Sequence, residues 1–349
     1  MAIGMDDVVA AETVLSAVDG ERGTLVLRGH PVGALAGRRS FEAVTALLWR
    51  GFAALGPGAP AEALGAARAA VWPRLTALWP AAAGLAPADA LRTLLAGLAA
   101  TEPAQLAAAV PAAVALIGSG GRAPAPDPRL GTAADLLRML RGAPAGAAEA
   151  AALDAYLVTV SDHGLNASTF TARVVASTGA GLTPAVVAAL GALEGPLHGG
   201  APGPVLDMLD EAARTDGLEA WIDAKLAAGA RIMGFGHRIY RVRDPRADVL
   251  RAALARLAPR SDRLELAERL ERAVLAALAR HRPGRRLDTN VEYYTALLLD
   301  ALGIDRALFT PVFAVGRTAG WIAHAREQQA AGRILRPQSR YVGPLPEAA

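Results

Sequence analysis

The side chains in this sequence best suited to moving a proton near neutral pH are its histidines, and two of them are framed by glycines. His198 lies in Glu194-Gly-Pro-Leu-His-Gly-Gly-Ala201 and His237 in Met233-Gly-Phe-Gly-His-Arg-Ile-Tyr240, out of six histidines in 349 residues. An imidazole titrates near neutrality and both donates and accepts hydrogen bonds. Glycine, lacking Cβ, lets the backbone bend into left-handed conformations and come close to a ligand. A histidine kept for packing needs no such flanks, so both stretches read as site loops. His163, Glu292, Arg246, Arg317 and Arg336 are further polar residues set next to a glycine or a helix end. Three imidazoles, one carboxylate and three guanidinium groups suit proton transfer beside a polyanionic substrate. Arginine forks hold carboxylates in bidentate fashion, a neutral histidine donates to a developing oxyanion, and a carboxylate takes a proton from carbon. On spacing alone Glu292 is a plain helix N-terminal acid favoured by the dipole. His324, beside Trp321 in a helical pattern, reads as a packed histidine, and His281, among arginines, as a solvated one.

The elements that must position these groups are mostly helices. Ser40 is an N-cap for a helix through Phe41, Val44, Leu47 and Leu48 that stops at Gly51. Residues 61–118 read as Ala/Leu helices broken at Pro73, Pro80, Pro87, Pro103 and Pro111. Helices are expected over 132–140 and from 147 to 160. Asn166 caps the next, from Ala167 to Ser177, and Thr183-Pro184 opens one that delivers His198 just past its end. Residues 201–231 are amphipathic, Asp244-Pro245 starts a helix to about Leu257, and a charged helix covers 261–281. Asn290 caps a helix that holds Glu292 in its first turn, and Thr310-Pro311 opens the last long helix with Arg317 inside it. Thr24 to Leu27, after the turn Asp19-Gly20-Glu21-Arg22-Gly23, makes a small hairpin. The tail from 333 to 343 is irregular.

Composition removes several classes. With no cysteine there are no disulfides, no thiolate zinc site and no thiol nucleophile. The imidazoles lack metal-ligand spacing, so no metal is expected. No G-x-x-x-x-G-K-[ST], H-E-x-x-H, G-x-S-x-G or strand-linked G-x-G-x-x-G occurs. The longest apolar run, from Leu106 to Gly118, is short of the roughly 20 residues a membrane helix needs. Met1 to Ala10 carries Asp6 and Asp7 and lacks a signal pattern, so a cytoplasmic location and no membrane partner are expected. The net charge is +3, acidic residues are interleaved with the arginines, and no nucleic-acid face is expected.

Four blocks then carry a resemblance. Asp162-His-Gly-Leu-Asn-Ala-Ser-Thr-Phe-Thr-Ala-Arg173, Gly195-Pro-Leu-His-Gly-Gly-Ala201, the His237 block with Asp244-Pro-Arg246, and Phe309-Thr-Pro-Val-Phe-Ala-Val-Gly-Arg-Thr-Ala-Gly-Trp321 resemble the citrate synthase family, in family order. Glu12-Thr13, Asp19-Gly20 and Arg28-Gly29 fit the same pattern, and the form resembled is the short, dimeric one. The resemblance implies an all-α fold with a minor N-terminal β-hairpin. It implies a large domain over 1–199 and 308–349 and a smaller, mobile one over 200–307. It further implies condensation of acetyl-CoA, a substrate rather than a cofactor, with oxaloacetate to give citrate and CoA. His163, Arg246 and Arg317 would bind oxaloacetate, with Arg336 reaching it from the other subunit of a homodimer. His198 would stabilise the enol of the thioester and His237 would polarise the ketone. Ile232, Met233, Gly234, Phe235 and Gly236 would contact CoA.

One position departs from the pattern. The family base is an aspartate in a block like N-V-D-[FY], whereas here the block is Asn290-Val-Glu-Tyr-Tyr294. Intrinsic acidities of the two carboxyls are close, about 3.9 and 4.3. The extra methylene shifts the carboxylate, and a displacement of about 1 Å can cost about 10²-fold in rate. Glu292 is expected to act as the base. The competing readings are a 2-methylcitrate synthase using propionyl-CoA and a paralogue that binds ligands with impaired turnover.

Overall fold

The computed structural model describes residues 8–98, 102–199, 202–237, 239–257 and 262–344. Gly200, Ala201 and Arg238, each part of a glycine–histidine block, lie outside the described residues, as does the start of the chain up to residue 7.

The chain opens with β1 (Ser16–Asp19), β2 (Thr24–Leu27) and β3 (His30–Pro31), paired antiparallel in the order β1-β2-β3, with Ser16 opposite Leu27 and Leu27 opposite His30. The expected hairpin is thus a three-stranded sheet. Arg28 at φ 49° and Gly29 at φ 85° make the tight reversal that returns the chain along β2. Helices α1 (Val32–Leu35), α2 (Phe41–Trp49), α3 (Pro60–Ala82), α4 (Pro87–Ala96), α5 (Pro103–Gly118), α6 (Thr132–Arg141), α7 (Ala147–Thr159), α8 (Ala167–Ser177) and α9 (Leu182–Leu193) follow. After them come α10 (Pro202–Ala212), α11 (Leu218–Ala227), α12 (Pro245–Leu257), α13 (Asp262–His281), α14 (Val291–Ala301) and α15 (Phe309–Ala331). The fold is all-helical apart from that small sheet.

Three of the five expected proline breaks do not occur. Pro87 and Pro103 do begin helices, but Pro73 and Pro80 lie within α3 and Pro111 within α5. An interior proline costs roughly 3 kcal/mol. Around Pro111 the run from Val110 to Leu116 is almost wholly inaccessible to solvent, and burying those side chains at about 25 cal/mol per Å² outweighs the lost hydrogen bond. Two helix starts also shift. Gly181 caps α9 and Phe309 begins α15, so Pro184 and Pro311 fall in first turns, where the missing N–H has no intrahelical partner to lose.

Helix α15 is the axis. Its residues from Phe309 to Ala325 are nearly all buried, and α2, α4, α5, α7, α8 and α9 pack on it. Two glycines let the end of α7 come close. A Cβ on Gly316 would sit 2.8 Å from the Leu157 carbonyl oxygen, and one on Gly320 2.4 Å from that of Ser161. Trp49 fixes the helix from the other side, its Nε1–H donating to the Ala319 carbonyl at 2.9 Å. Helices α10 to α14 form a second cluster in which α10 and α12 pack on α14 and α11 packs on α13; α12 and α14 also meet α7.

Candidate active site

His163, His198, His237, Glu292, Arg246 and Arg317 come together where the end of α7, the start of α8, the loops after α9 and α11, and the starts of α12 and α14 meet α15. Each side chain is delivered by a local device.

His198 follows the C-terminal end of α9, where the His198 N–H donates to Gly195 O. Its Nε2 lies 2.8 Å from the Ser168 hydroxyl and 3.4 Å from the Ser168 N–H. A backbone N–H can only donate, so Nε2 accepts and the proton of the neutral ring sits on Nδ1. The Ser168 oxygen accepts from Trp321 Nε1–H at 3.1 Å, and its single proton is shared between Nε2 of His198 and Asn166 Oδ1, each at 2.8 Å. Asn166 also caps α8, accepting from Thr169 N–H.

His237 is the opposite tautomer. Its Nδ1 accepts from the N–H groups of Ile239 and Tyr240 at 3.0 and 3.1 Å, which leaves the proton on Nε2. Nε2 stands 3.5 Å from Nη2 of Arg246. Two donors so close, with no acceptor between them, suit an anionic or polarised oxygen. Arg246, only 3% exposed, is held by Asp244 through Nε at 3.0 Å and Nη2 at 2.8 Å. The same carboxylate accepts from Val291 N–H, so one buried aspartate joins the start of α12 to the start of α14, where Glu292 lies.

His163 is buried at the turn after α7. Its Nε2 is 3.1 Å from the Tyr240 hydroxyl, and its ring meets the edge of His237 with centroids 5.7 Å apart. Arg317, within α15, donates through Nε to Val160 O at 2.6 Å and lies over the Phe313 ring. Its terminal nitrogens have no protein acceptor among the described residues. Glu292 is partly buried, its N–H bound to Asn290 Oδ1, and its carboxylate is unpaired among the described residues.

Burial and the two guanidinium charges decide the protonation states. Burial, with Arg317 and Arg246 nearby, pushes His198 down to about 4; burial and Arg246 do the same to His237; and His163 falls well below its ordinary value. All three are neutral donors or acceptors at pH 7. Burial lifts Glu292 to about 7 against the pull of Arg246 and Arg317, close to the operating pH a general base needs. Arg317 is lowered by burial to about 10 and keeps its charge.

The glycine loop of residues 232–236 is zipped to the segment before α14. Gly236 N–H donates to Asp288 O, Asn290 N–H to Gly234 O, and Asn290 Nδ2 to Gly236 O. Gly234 is at φ 84°, and a Cβ there would lie 2.7 Å from the Tyr293 ring. Ile232 is buried, and Met233 and Phe235 pack against the core. Arg336 stands apart, exposed on the tail beyond α15, which Ser177 Oγ and the Gln328 amide hold at Leu335 and Arg333.

Several site residues escaped the sequence reading. Tyr240 and Asp244 lie inside quoted blocks, yet nothing in their spacing marks them. Ser168 gave a signal, a hydroxyl-rich first turn in α8. His324 is wholly buried and satisfied, as its pattern suggested, but within a network. Its Nε2 faces Asp162 at 3.2 Å and its Nδ1 faces Arg173 at 3.0 Å, while Arg173 also pairs with Glu327 and Gln328. His281 is paired rather than merely solvated, 2.9 Å from Asp223. No group of three or more His, Cys, Asp or Glu suited to a metal occurs among the described residues.

An all-helical fold that converges three neutral histidines, an unpaired acid near pKa 7 and two buried arginines defines an acid–base site for an anionic substrate. The model of the citrate synthase C-terminal domain matches residues 4–338, and the chain belongs to the citrate synthase family. It is 49% identical over 197 residues to a putative citrate synthase 2 of Mycobacterium bovis, which takes in 56% of this chain and 52% of that protein. That match spans about half of the relative's length. It is 36% identical to a citrate synthase of Haloferax volcanii, over 97% of this chain and 95% of that one. The fold is similar to the crystal structure of citrate synthase from Thermotoga maritima, with a TM-score of 0.84 and 30% identity over 99% of this chain and 97% of that one.

Proposed function

We propose that this protein condenses acetyl-CoA with oxaloacetate to give citrate and CoA. The observation that carries the reading is the pair of opposite tautomers beside an ionisable, unpaired Glu292. Glu292 takes a proton from the methyl carbon of the thioester while Nδ1–H of His198 donates to the thioester oxygen, giving the enol. The enol carbon attacks the ketone carbon of oxaloacetate, whose oxygen is polarised by Nε2–H of His237. The substrate carboxylates pair with Arg246 and Arg317, and His163 donates or accepts at the same ligand. Water then cleaves the thioester of citryl-CoA and releases the thiol.

Two wider features belong to the same proposal. Residues 200–307 act as a small domain that closes on the remainder, with residues 232–236 against CoA. The active form is a homodimer in which Arg336 completes the partner's site; its exposure and lack of an acidic partner among the described residues favour that role. The test is thiol release from acetyl-CoA and from propionyl-CoA, each with and without oxaloacetate. Release from acetyl-CoA that depends on oxaloacetate supports the reading. A preference for propionyl-CoA makes the product 2-methylcitrate; a methylene is worth only about 1–3 kcal/mol, so the pocket lining decides. Oxaloacetate binding without release from either thioester marks an impaired enzyme.

A further inference from the structure

The N-terminal sheet touches the chain just after His237. The turn between β1 and β2 offers the carbonyl of Gly20 to the N–H of Arg241 at 2.9 Å. A Cβ on Gly20 would lie 2.3 Å from the carbonyl oxygen of Ile239, and one on Gly23 2.6 Å from Cγ2 of Val242. The turn is itself braced, since Asp19 Oδ1 accepts from the N–H groups of Glu21 and Arg22 at 3.0 and 2.9 Å. Ile239 and Tyr240, against which this turn is seated, supply the two N–H groups that hold Nδ1 of His237.

We infer that the turn at residues 19–23 is a positioning element for His237, with Gly20 its contact point. Docked there, it fixes the backbone of residues 239–241, so that Nδ1 receives both N–H groups and Nε2–H is held beside Arg246. Only a hydrogen fits between Gly20 and Ile239. The bare alternative is a packing contact between surface segments, which would leave the imidazole indifferent to what stands at position 20. The inference rests on the proposed reaction for the role of His237, but not for the contact itself.

Gly20 lies outside the left-handed region. The Gly20→Ala variant therefore keeps the turn unstrained and clashes only with the docked segment. Its kcat is expected to fall about 100-fold, the cost of roughly 1 Å of misplacement, with the KM for acetyl-CoA near the wild-type value. Only six histidines need be resolved by nitrogen-15 labelling. The His237 Nδ1 resonance should move from its hydrogen-bonded position, while His30 and His281 keep theirs. Glu21→Ala, exposed on the same turn, should change neither. A folded Gly20→Ala protein with unchanged kcat and an unchanged His237 resonance would overturn the inference. Amide exchange in the wild-type protein covers a variant that does not fold: an Arg241 N–H exchanging as fast as an exposed loop amide overturns it as well. A wild-type protein without turnover counts against the condensation reading alone, because resonance and exchange need none.

Discussion

In the proposed reaction Glu292 is the residue on which the chemistry and the stability of the molecule pull in opposite directions. Burial raises its pKa from 4.5 to about 7, so the folded protein binds a proton that the unfolded chain releases between those values. Ionised Glu292 therefore costs stability, next to nothing below about pH 4.5 and on the order of 3 kcal/mol above pH 7. Glu292→Gln should raise the thermal midpoint at pH 8 and leave it unchanged at pH 4, which scanning calorimetry at the two values would show. The same substitution should lower kcat by about 10²–10⁴-fold, the range for a lost general base. In the wild type, kcat/KM should fall tenfold per pH unit below about 7, because only the carboxylate can accept the proton. The histidines act in the other sense. His198 and His237, depressed from 6.5 to about 4, bind protons only in the unfolded chain between those values, so the fold loses stability as pH drops through that window.

Much of this residue set was legible, and the reasons differ by residue. His198 and His237 were marked by their glycines, a signal local to a few positions, whereas Glu292 was marked only by its place in a block that resembles the family's. Asp162, Asp244 and Tyr240 were not marked, because their importance lies in partners far along the chain: His324 for Asp162, Val291 for Asp244 and His163 for Tyr240. Local spacing carries no trace of such pairings.

At the scale of elements, the close seating of α7 on α15 sets where His163 points. A methyl group at position 320 would press on the Ser161 carbonyl, which is backbone and cannot step aside. Gly320→Ala should cost about 1–3 kcal/mol, as overpacking does, and should displace the turn that carries Asp162 and His163. Chemical denaturation and the KM for oxaloacetate would report the two effects, and an unchanged midpoint with normal KM would contradict the account. Asn166→Ala removes the α8 cap at about 1 kcal/mol and also frees Ser168, so the lost activity should exceed what the stability change explains. The helix spans were largely readable from caps and periodicity. The prolines inside α3 and α5 were not, because what offsets them is tertiary burial rather than local propensity.

At the scale of the whole molecule, the proposed dimer has a quantitative signature. If Arg336 serves the other subunit, Arg336→Ala and Glu292→Gln proteins are each inactive, yet a mixed dimer holds both lesions in one site and none in the other. Exchange of subunits in a one-to-one mixture should recover about a quarter of wild-type turnover by symmetry. No recovery, with mixed dimers verified by mass, would place Arg336 in its own subunit's site or outside any site.

The helix that serves as the buried axis is made after every helix that packs on it. Ribosomes add roughly 5–20 residues per second, so about 10–40 seconds separate the end of α5 from the start of α15. Throughout that interval α5, α8 and α9 have no α15 to cover their apolar faces. A chain stopped before α15 is therefore expected to aggregate rather than fold as a smaller protein, which sedimentation of such a truncation would check.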